Sequence, residues 1–454
     1  MNSDSPQLLQ QLGVALQAMP AQRYWVAFSG GIDSHVLLHA MAALRSQFPA
    51  TLNAVHVNHG LHPAASEWAA HAVAVCEVLD IPCHLFNVDA VAAPGESPEA
   101  SARDARYLAF SQLIERGDVL LTAHHQEDQS ETLLLQLLRG AGPQGLAAMP
   151  VLSPLSAGQL ARPLLSVSQA QIEQYAQEKS LQWIEDPSNQ ERGFARNYLR
   201  HEVIPSLKSH WPAFAKTVSR AAGHCAEAVT LLDEVASEDL HQLTGWVSQQ
   251  PVPMRLPLAG LQQMSPQRRR NILRFWIRIA GLPIVSTTIM KQIEHSLIDA
   301  REDSTPLVQW PGGELRRYRD ALYAMLPLTP LDTATVLQWQ WPQQTLALPG
   351  GLGTLTATVE ETAAEAMPTL SLAQCQQQPM TIRFRQGGER CQLVGRDHHH
   401  TLKGLLQTAG VPPWQRDRIP LIYVGDQLAA VVGHFICAPF QVKVGEAGIV
   451  FSLR

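Results

Sequence analysis

An α/β fold opens the chain, and three observations predict it. Short apolar runs alternate with helix-length segments from residue 21 to about 165. The runs are apolar throughout rather than alternating, as expected of strands covered on both faces. Between the first run and the first helix lies Ser29-Gly30-Gly31-Ile32-Asp33-Ser34, the kind of turn that joins strand to helix in a doubly wound parallel sheet.

The expected strands are Trp25–Phe28, Leu52–Val57, His84–Val88, Val119–Thr122 and Leu160–Leu164. The expected helices are Ser34–Arg45, Glu67–Asp80, Pro98–Glu115 and Glu127–Arg139, with Ser168–Lys179 and a helix ending near Leu207 closing the domain. From about Trp211 to Leu326 the pattern turns helical, clearest over Lys216–Ser237 and Gln267–Ile279, and reads as a small all-α domain. Leu328 to Gln344 mixes Pro, Thr and Gln like a linker. Beyond it, Thr345–Val359, Met380–Arg385, Ile422–Tyr423, Ala429–Val432 and Ile449–Leu453 read as strands and Lys403–Thr408 as a short helix, hence a C-terminal α+β domain. The expected boundaries are 1–212, 213–328 and 335–454.

Composition narrows the classes. The 454 residues are 46% hydrophobic and 16% charged, as in a soluble globular chain of two or three domains. No apolar run reaches the roughly 18 residues of a membrane span, and the N-terminus carries no export pattern, so the expected compartment is the cytoplasm. A homodimer is compatible with the sequence but not specified by it. Six scattered cysteines with no Cys-x-x-Cys pair argue against a zinc ribbon, a disulfide framework or an iron–sulfur site. The net charge of −6 hides clusters: Arg268, Arg269, Arg270, Arg274 and Arg278; Arg316, Arg317 and Arg319; and Arg383, Arg385, Arg390, Arg396 and Lys403. Each could be a solvated face, but together they suggest a polyanion held by the later domains, with Arg269, Arg270, Arg274, Arg383, Arg385 and Lys403 as contacts.

The chemistry gathers at strand ends. Gly30 and Gly31 let the backbone approach a ligand, and the following helix aims free amides and its positive end at the same point. The turn is too short for a kinase-type P-loop and has no Lys after its glycines; alone it reads equally as a phosphate turn or as an ordinary Gly-rich turn. Asp33 beside phosphate calls for Mg²⁺; otherwise it is a helix N-terminal carboxylate. His56-Val57-Asn58-His59-Gly60-Leu61-His62 follows the second strand, and Thr122-Ala123-His124-His125-Gln126-Glu127-Asp128-Gln129-Ser130-Glu131-Thr132 the fourth. Asp128 and Glu131, three apart, share one helix face. Glu185-Asp186-Pro187-Ser188-Asn189 precedes Arg196-Asn197. The His398-His399-His400 run reads as a solvated loop, with a metal site as the alternative.

These segments, with Ser97-Pro98-Glu99, Ala102-Arg103, Arg106-Tyr107, Arg139-Gly140-Ala141-Gly142, Arg162-Pro163-Leu164, Arg383-x-Arg385-x-Gly387-Gly388-Glu389 and Val411-Pro412-Pro413-Trp414, resemble the tRNA(Ile)-lysidine synthase family over nearly the whole chain. The turn resembles the PP-loop of ATP pyrophosphatases, on an adenine-nucleotide α-hydrolase-like sheet. One departure is Glu127, where the family usually carries Asp. The resemblance implies adenylation by ATP of the position-two carbonyl oxygen of the wobble cytidine in a minor isoleucine tRNA with anticodon CAU. Free lysine then displaces AMP to give lysidine.

It also implies the site roles. Ser29, Gly30, Gly31, Ile32, Asp33 and Ser34 would hold the departing pyrophosphate. His56 and Asn58 would face the adenosine, and His124 and His125 the phosphates or adenylate, unless one of the pair serves a buried backbone group. Asp128 and Glu131 would recognise the lysine, Arg103 or Arg106 would approach the nucleotide or target base, and Arg196 a phosphate. Rival readings are tRNA thiolation, for which the chain lacks a cysteine pair, amide-forming synthesis, for which no glutaminase segment is seen, and a nucleotide-sensing module, which would need no tRNA domains.

Overall fold

The structure, a computed structural model, describes residues 5–60, 62–88, 98–187, 193–300, 305–341, 345–360, 369–394, 398–443 and 445–454. Leu61, Ser97, Ser188, Asn189 and Arg396, and the side chain of Glu99, lie outside the described residues. The chain divides into two compact units, Met1–Glu234 and Val235–Arg454.

The first unit starts with α1 (Ser5–Gln17), β1 (Arg23–Ala27), α2 (Ile32–Ala43), β2 (Thr51–Asn58), α3 (Ala65–Val78), β3 (Cys83–Asn87), α4 (Pro98–Leu113), β4 (Asp118–Leu121) and α5 (Gln126–Leu138). It continues with α6 (Pro143–Leu146), β5 (Leu152–Leu155), β6 (Gly158–Ala161), α7 (Gln169–Glu178), α8 (Ala195–Tyr198), a π-helical turn Leu199–Val203, α9 (Ile204–His210) and α10 (Phe214–Thr244), which runs on into the second unit. The sheet order is β3-β2-β1-β4-β6-β5. β1 pairs parallel with β2 and with β4, β2 with β3, and β4 with β6, whereas β5 closes the edge antiparallel to β6.

Strand period two explains the apolar runs. Tyr24, Val26 and Phe28 enter one core with Leu37, Leu38, Leu52 and Leu121. Trp25, Val55 and Leu120 face the other way, onto Phe110 and Ile114 of the α4 side. The central strands β1 and β4 are buried on both faces and show no polar alternation, whereas the edge strands β3 and β5 are largely exposed. The order reverses direction between β1 and β4, and at such a switch point ligands meet the carboxyl ends of strands. The loops after β1, β2 and β4 all lie at this end.

The expected helices Lys216–Ser237 and Gln267–Ile279 are present as α10 and α12 (Pro266–Ile279), and the second unit also contains α11 (Leu258–Gln263) and α13 (Thr287–Gln292). To them the structure adds a four-stranded antiparallel sheet of Arg255–Pro257, Leu307–Trp310, Gly313–Tyr318 and Ala321–Met325. The sequence hides it because Arg316, Arg317 and Arg319 fall on one hairpin. Arg317 is buried there and donates to the Leu297 and Ala300 carbonyls at 3.0 and 2.6 Å. Arg316 lies over the Trp414 ring, and Arg319 donates to the Gln407 carbonyl. This cluster is committed to packing and offers no free basic face.

The C-terminal part has a five-stranded and a four-stranded antiparallel sheet with short helices at Leu402–Thr408 and Pro413–Arg416. Leu337–Gln338, inside the expected linker, pairs with Met380–Arg383 as an edge strand. The cysteine spacing suggests no disulfide, yet the fold brings Cys391 and Cys437, 46 residues apart, into one bridge. Among the described residues, no helix is long and apolar enough to cross a membrane.

Candidate functional site

The Ser-Gly-Gly turn is built as the sequence suggests. Gly30 has φ +89°, a conformation open to glycine, and a Cβ there would stand 3.1 Å from Ile184 Cδ1. The Ile184 amide donates to the Gly30 carbonyl at 2.9 Å, tying the loop to the segment after α7. Ser34 Oγ accepts from the Ser29 amide at 3.2 Å, lies 3.0 Å from Ser29 Oγ and donates to the Gly31 carbonyl at 3.0 Å. The turn is thus held by its own serines, with α2 starting at Ile32 and its amide end facing the loop.

Asp33, in the first turn of α2, has a buried Oδ1 with no hydrogen-bond partner among the described residues. Burial lifts its carboxyl above the ordinary range. The Asp128 charge adds to the lift, while the His125 and Arg200 charges oppose it. An orphaned carboxylate oxygen beside a phosphate turn fits Mg²⁺, which takes one or two carboxylates and fills its remaining positions with water and phosphate oxygens. No ready-made cluster of three or more ligands exists among the described residues.

His56 is buried, and its Nδ1 donates to the Phe28 carbonyl at 2.8 Å, joining β2 to the end of β1. Burial holds this imidazole below its usual pKa. Asn58 uses its side-chain oxygen to accept the Gly60 amide at 2.9 Å, which shapes the turn and leaves only its NH₂ for a ligand. The nearby His59 is not among the expected site residues. Its Nε2 accepts from Arg106 Nε and from a terminal nitrogen of Arg106 at 3.2 and 3.1 Å. Burial and the Arg106 charge push His59 down to about 4, so it stays a neutral acceptor. Arg103 lies over the Tyr107 ring, 5.0 Å from its centroid.

After β4 the two histidines diverge. Burial drives His124 to about 4 and leaves it neutral, with Nδ1 2.9 Å from Thr122 Oγ1. His125 caps α5. Burial alone would lower its pKa, but the bond to Glu127 and the charges of Asp128 and Asp33 raise it above the usual value. Its Nδ1 lies 3.2 Å from Glu127 Oε2, and its Nε2 lies 3.4 Å from Asp128 Oδ2 and 3.8 Å from Asp33 Oδ1.

Glu127 carries no free acceptor toward the PP-loop. It accepts from His125 and from the Gln169 amide, and pairs with Lys208 at 2.9 Å. Burial works against its charged form, but these bonds bring it down to about 2. The extra methylene over Asp gives it the reach to tie α5, α7 and α9 together.

Asp128 and Glu131 share a face of α5, as the three-residue spacing predicts. Glu131 is 1% exposed. Its Oε2 accepts from Arg196 Nε at 2.7 Å and its Oε1 from Arg200 Nε at 2.6 Å. Asp128 Oδ1 accepts from terminal nitrogens of Arg196 and Arg200 at 3.1 and 3.2 Å, while Oδ2 accepts the His125 amide at 2.9 Å. Arg196, expected at a phosphate, thus lies on the acidic pair. Arg200, which the sequence reading did not single out, also lies on the pair. Its signal was present, four residues after Arg196 on the same helical face.

The candidate tRNA contacts belong to the second unit. Arg269 and Arg270 both approach Glu294, at 3.6 and 3.4 Å. Arg274 is exposed, and no ion pair is found for it among the described residues. Arg383 stacks over Tyr423 at 4.4 Å, and Arg385 pairs with Asp417 at 2.5 Å. Lys403 is exposed at the start of the Leu402–Thr408 helix.

Comparison with known proteins matches this architecture. A family model described as a PP-loop domain matches residues 4–207, a TilS substrate binding domain matches 256–323, and a TilS substrate C-terminal domain matches 380–453. The tRNA(Ile)-lysidine synthase of Coxiella burnetii is 44% identical over 425 residues, covering 94% of this chain and 92% of that one. That of Pseudomonas aeruginosa is 43% identical over 432 residues, covering 92% and 91%. Among solved structures, a U34-tRNA thiolase from Methanococcus maripaludis is similar at a TM-score of 0.43 and 16% identity, covering 49% of this chain and 79% of that one. By its relatives along nearly the whole sequence and its PP-loop domain, the chain belongs to the tRNA(Ile)-lysidine synthase family of ATP-dependent ligases.

Proposed function

We propose that this protein joins free lysine to the position-two carbon of the wobble cytidine in the minor isoleucine tRNA with anticodon CAU. The path runs through an adenylated tRNA, with ATP converted to AMP and pyrophosphate, and yields lysidine. The observation that carries the reading is a buried acidic pair, Asp128 and Glu131, on the helix after β4, beside a glycine turn suited to phosphate.

A cytosine carbonyl oxygen is a poor leaving group; as its AMP ester it becomes a good one. The amides of Gly30 and Gly31, the start of α2 at Ile32 and the hydroxyls of Ser29 and Ser34 would hold the pyrophosphate as it departs. Asp33 would hold Mg²⁺, which when bound neutralises phosphate charge. His125 Nε2, which lies between Asp33 and Asp128, would add a ring nitrogen on the same side. His124, neutral, offers only hydrogen bonding. His56 supports the loop wall near the adenosine, with the Asn58 NH₂ beside it. Arg106, oriented by His59, and Arg103 would approach the target base or nucleotide.

Asp128 and Glu131 would select lysine by its ammonium. They favour its charged form, so they account for placement and not for activation. At pH 7 the free amine lies about 3.4 units below its pKa, about 4.6 kcal/mol from the neutral nucleophile. We assign residues 1–212 to catalysis, and 213–328 and 335–454 to the tRNA body, gripped through backbone charge and shape.

The deciding experiment is pyrophosphate release from ATP with an unmodified transcript of that tRNA, with and without lysine. Release that requires the tRNA, followed by lysine-dependent modification of the wobble cytidine, is expected. Release without tRNA, or a nucleophile other than lysine, would refute the reading.

A further inference from the structure

The acidic pair has no room for a new cation. Glu131 engages both oxygens with guanidinium nitrogens at 2.6, 2.7 and 3.0 Å. Asp128 Oδ1 takes two more at 3.1 and 3.2 Å, and Oδ2 is held by His125. An ammonium needs several acceptors of its own, since it carries three donors and no acceptor. For lysine to reach Asp128 and Glu131, one guanidinium has to leave.

The geometry selects which. Arg196 side-chain exposure is 24% and that of Arg200 is 37%, so Arg200 holds the more open side. Arg200 also sits in the π-helical turn Leu199–Val203, a local departure from α-helix of the kind often found at functional sites. Asp128, which Arg200 contacts at 3.2 Å, lies 3.4 Å from His125 Nε2, and that nitrogen is 3.8 Å from Asp33 Oδ1 at the PP-loop. A guanidinium released from Glu131 therefore has an anionic destination at hand once phosphate is bound, and a bidentate fork suits phosphate as well as carboxylate.

Resting on the reading of Asp128 and Glu131 as the lysine subsite, we infer that Arg200 is a specificity-determining residue that exchanges partners. Without nucleotide it occupies the acidic pair and keeps lysine out. With phosphate at the PP-loop it swings to the phosphate, and lysine takes its place. Nucleotide and lysine binding are then coupled, each strengthening the other by the same factor. The exchange also holds the lysine amine back until an activated phosphate is present, which opposes futile loading.

The test measures lysine binding by calorimetry on the full chain, with and without α,β-methylene-ATP and Mg²⁺. In the parent protein lysine affinity is expected to rise at least tenfold when the nucleotide analogue is present. In Arg200→Gln the nucleotide-free affinity should rise about tenfold, and the analogue should then change it less than twofold. Arg200→Lys, which keeps the charge but not the fork, should fall between them and serves as the deciding variant if Arg200→Gln melts early. Lysine affinity in the parent protein that ignores the analogue, or an Arg200 variant that binds lysine no tighter without nucleotide, would overturn the exchange. That result would leave the proposed function standing if tRNA-dependent lysine incorporation persists, whereas loss of lysine use by the parent protein would refute the function itself.

Discussion

Lys208 Nζ stands 2.9 Å from Glu127 Oε1, while the other Glu127 oxygen accepts the Gln169 amide. One carboxylate thus ties α9 to the N-terminus of α7 and to the cap of α5. Glu127 is therefore a structural brace.

The brace predicts a pH-dependent stability. The folded carboxyl is held at about 2, below its unbound value of 4.5. A depressed acid stabilises fully above the unfolded value and loses that contribution as pH falls from about 4.5 toward 2. Glu127→Gln should therefore cost up to about 3 kcal/mol near neutrality. The gap to the parent should close in thermal melts taken through the acid range. A gap that stays constant down to pH 3 would show that the charge is not what stabilises. Pyrophosphate release by Glu127→Gln, measured well below its melting temperature, should change little.

Asp33 behaves in the opposite way. Its carboxyl is raised by burial and by Asp128, so keeping it ionised at neutral pH works against folding. Stability contributed by its protonated form is lost as pH rises through that raised value. Asp33→Asn should thus melt at or above the parent temperature while tRNA-dependent pyrophosphate release falls on the order of 100-fold. A variant that is both unstable and active would contradict the assignment.

Gly30 has no tolerant substitute. Ala there must adopt φ +89° and press its Cβ toward Ile184, a strain of about 1–2 kcal/mol. If the loop relaxes instead, its amides turn away from phosphate. Gly30→Ala should therefore weaken ATP binding more than it lowers the melting point, and paired titration and melts would separate the two.

The centre of the sheet was legible because β1 and β4 are buried on both faces. Tyr24, Val26 and Phe28 enter one core while Trp25 enters the other, so the run reads as unbroken apolar sequence. Helix α1 gives a weak signal in the sequence, since its buried Leu8, Leu12 and Leu16 stand four apart among glutamines. The antiparallel edge strand Leu152–Leu155 carries Pro154, which masks it. In the site, spacing placed Asp128 and Glu131 on one helix face and the glycine turn between strand and helix, while the roles expected of them came from the family resemblance. The partners of that pair were not legible, since Arg196 and Arg200 reach Glu131 from 65 and 69 residues away. Nor did sequence separate Arg317, a buried brace, from arginines on a solvated face.

That separation sharpens the expectation for tRNA binding. Arg269 is 14% exposed and faces Glu294, so Arg269→Glu sets two carboxylates together and should lower the melting temperature first. Arg274 and Lys403 are exposed and without an ion pair among the described residues, so reversing them leaves the fold alone. Each lost phosphate contact removes about one unit or slightly less from the slope of log affinity against log salt. Arg274→Glu and Lys403→Glu should therefore weaken tRNA binding roughly 3- to 10-fold at low salt and flatten that slope, with unchanged melts. Filter binding across a salt series would read both quantities at once. An unchanged slope in both variants would make these side chains solvated surface, and the grip on the tRNA body would then have to come from elsewhere in the second unit.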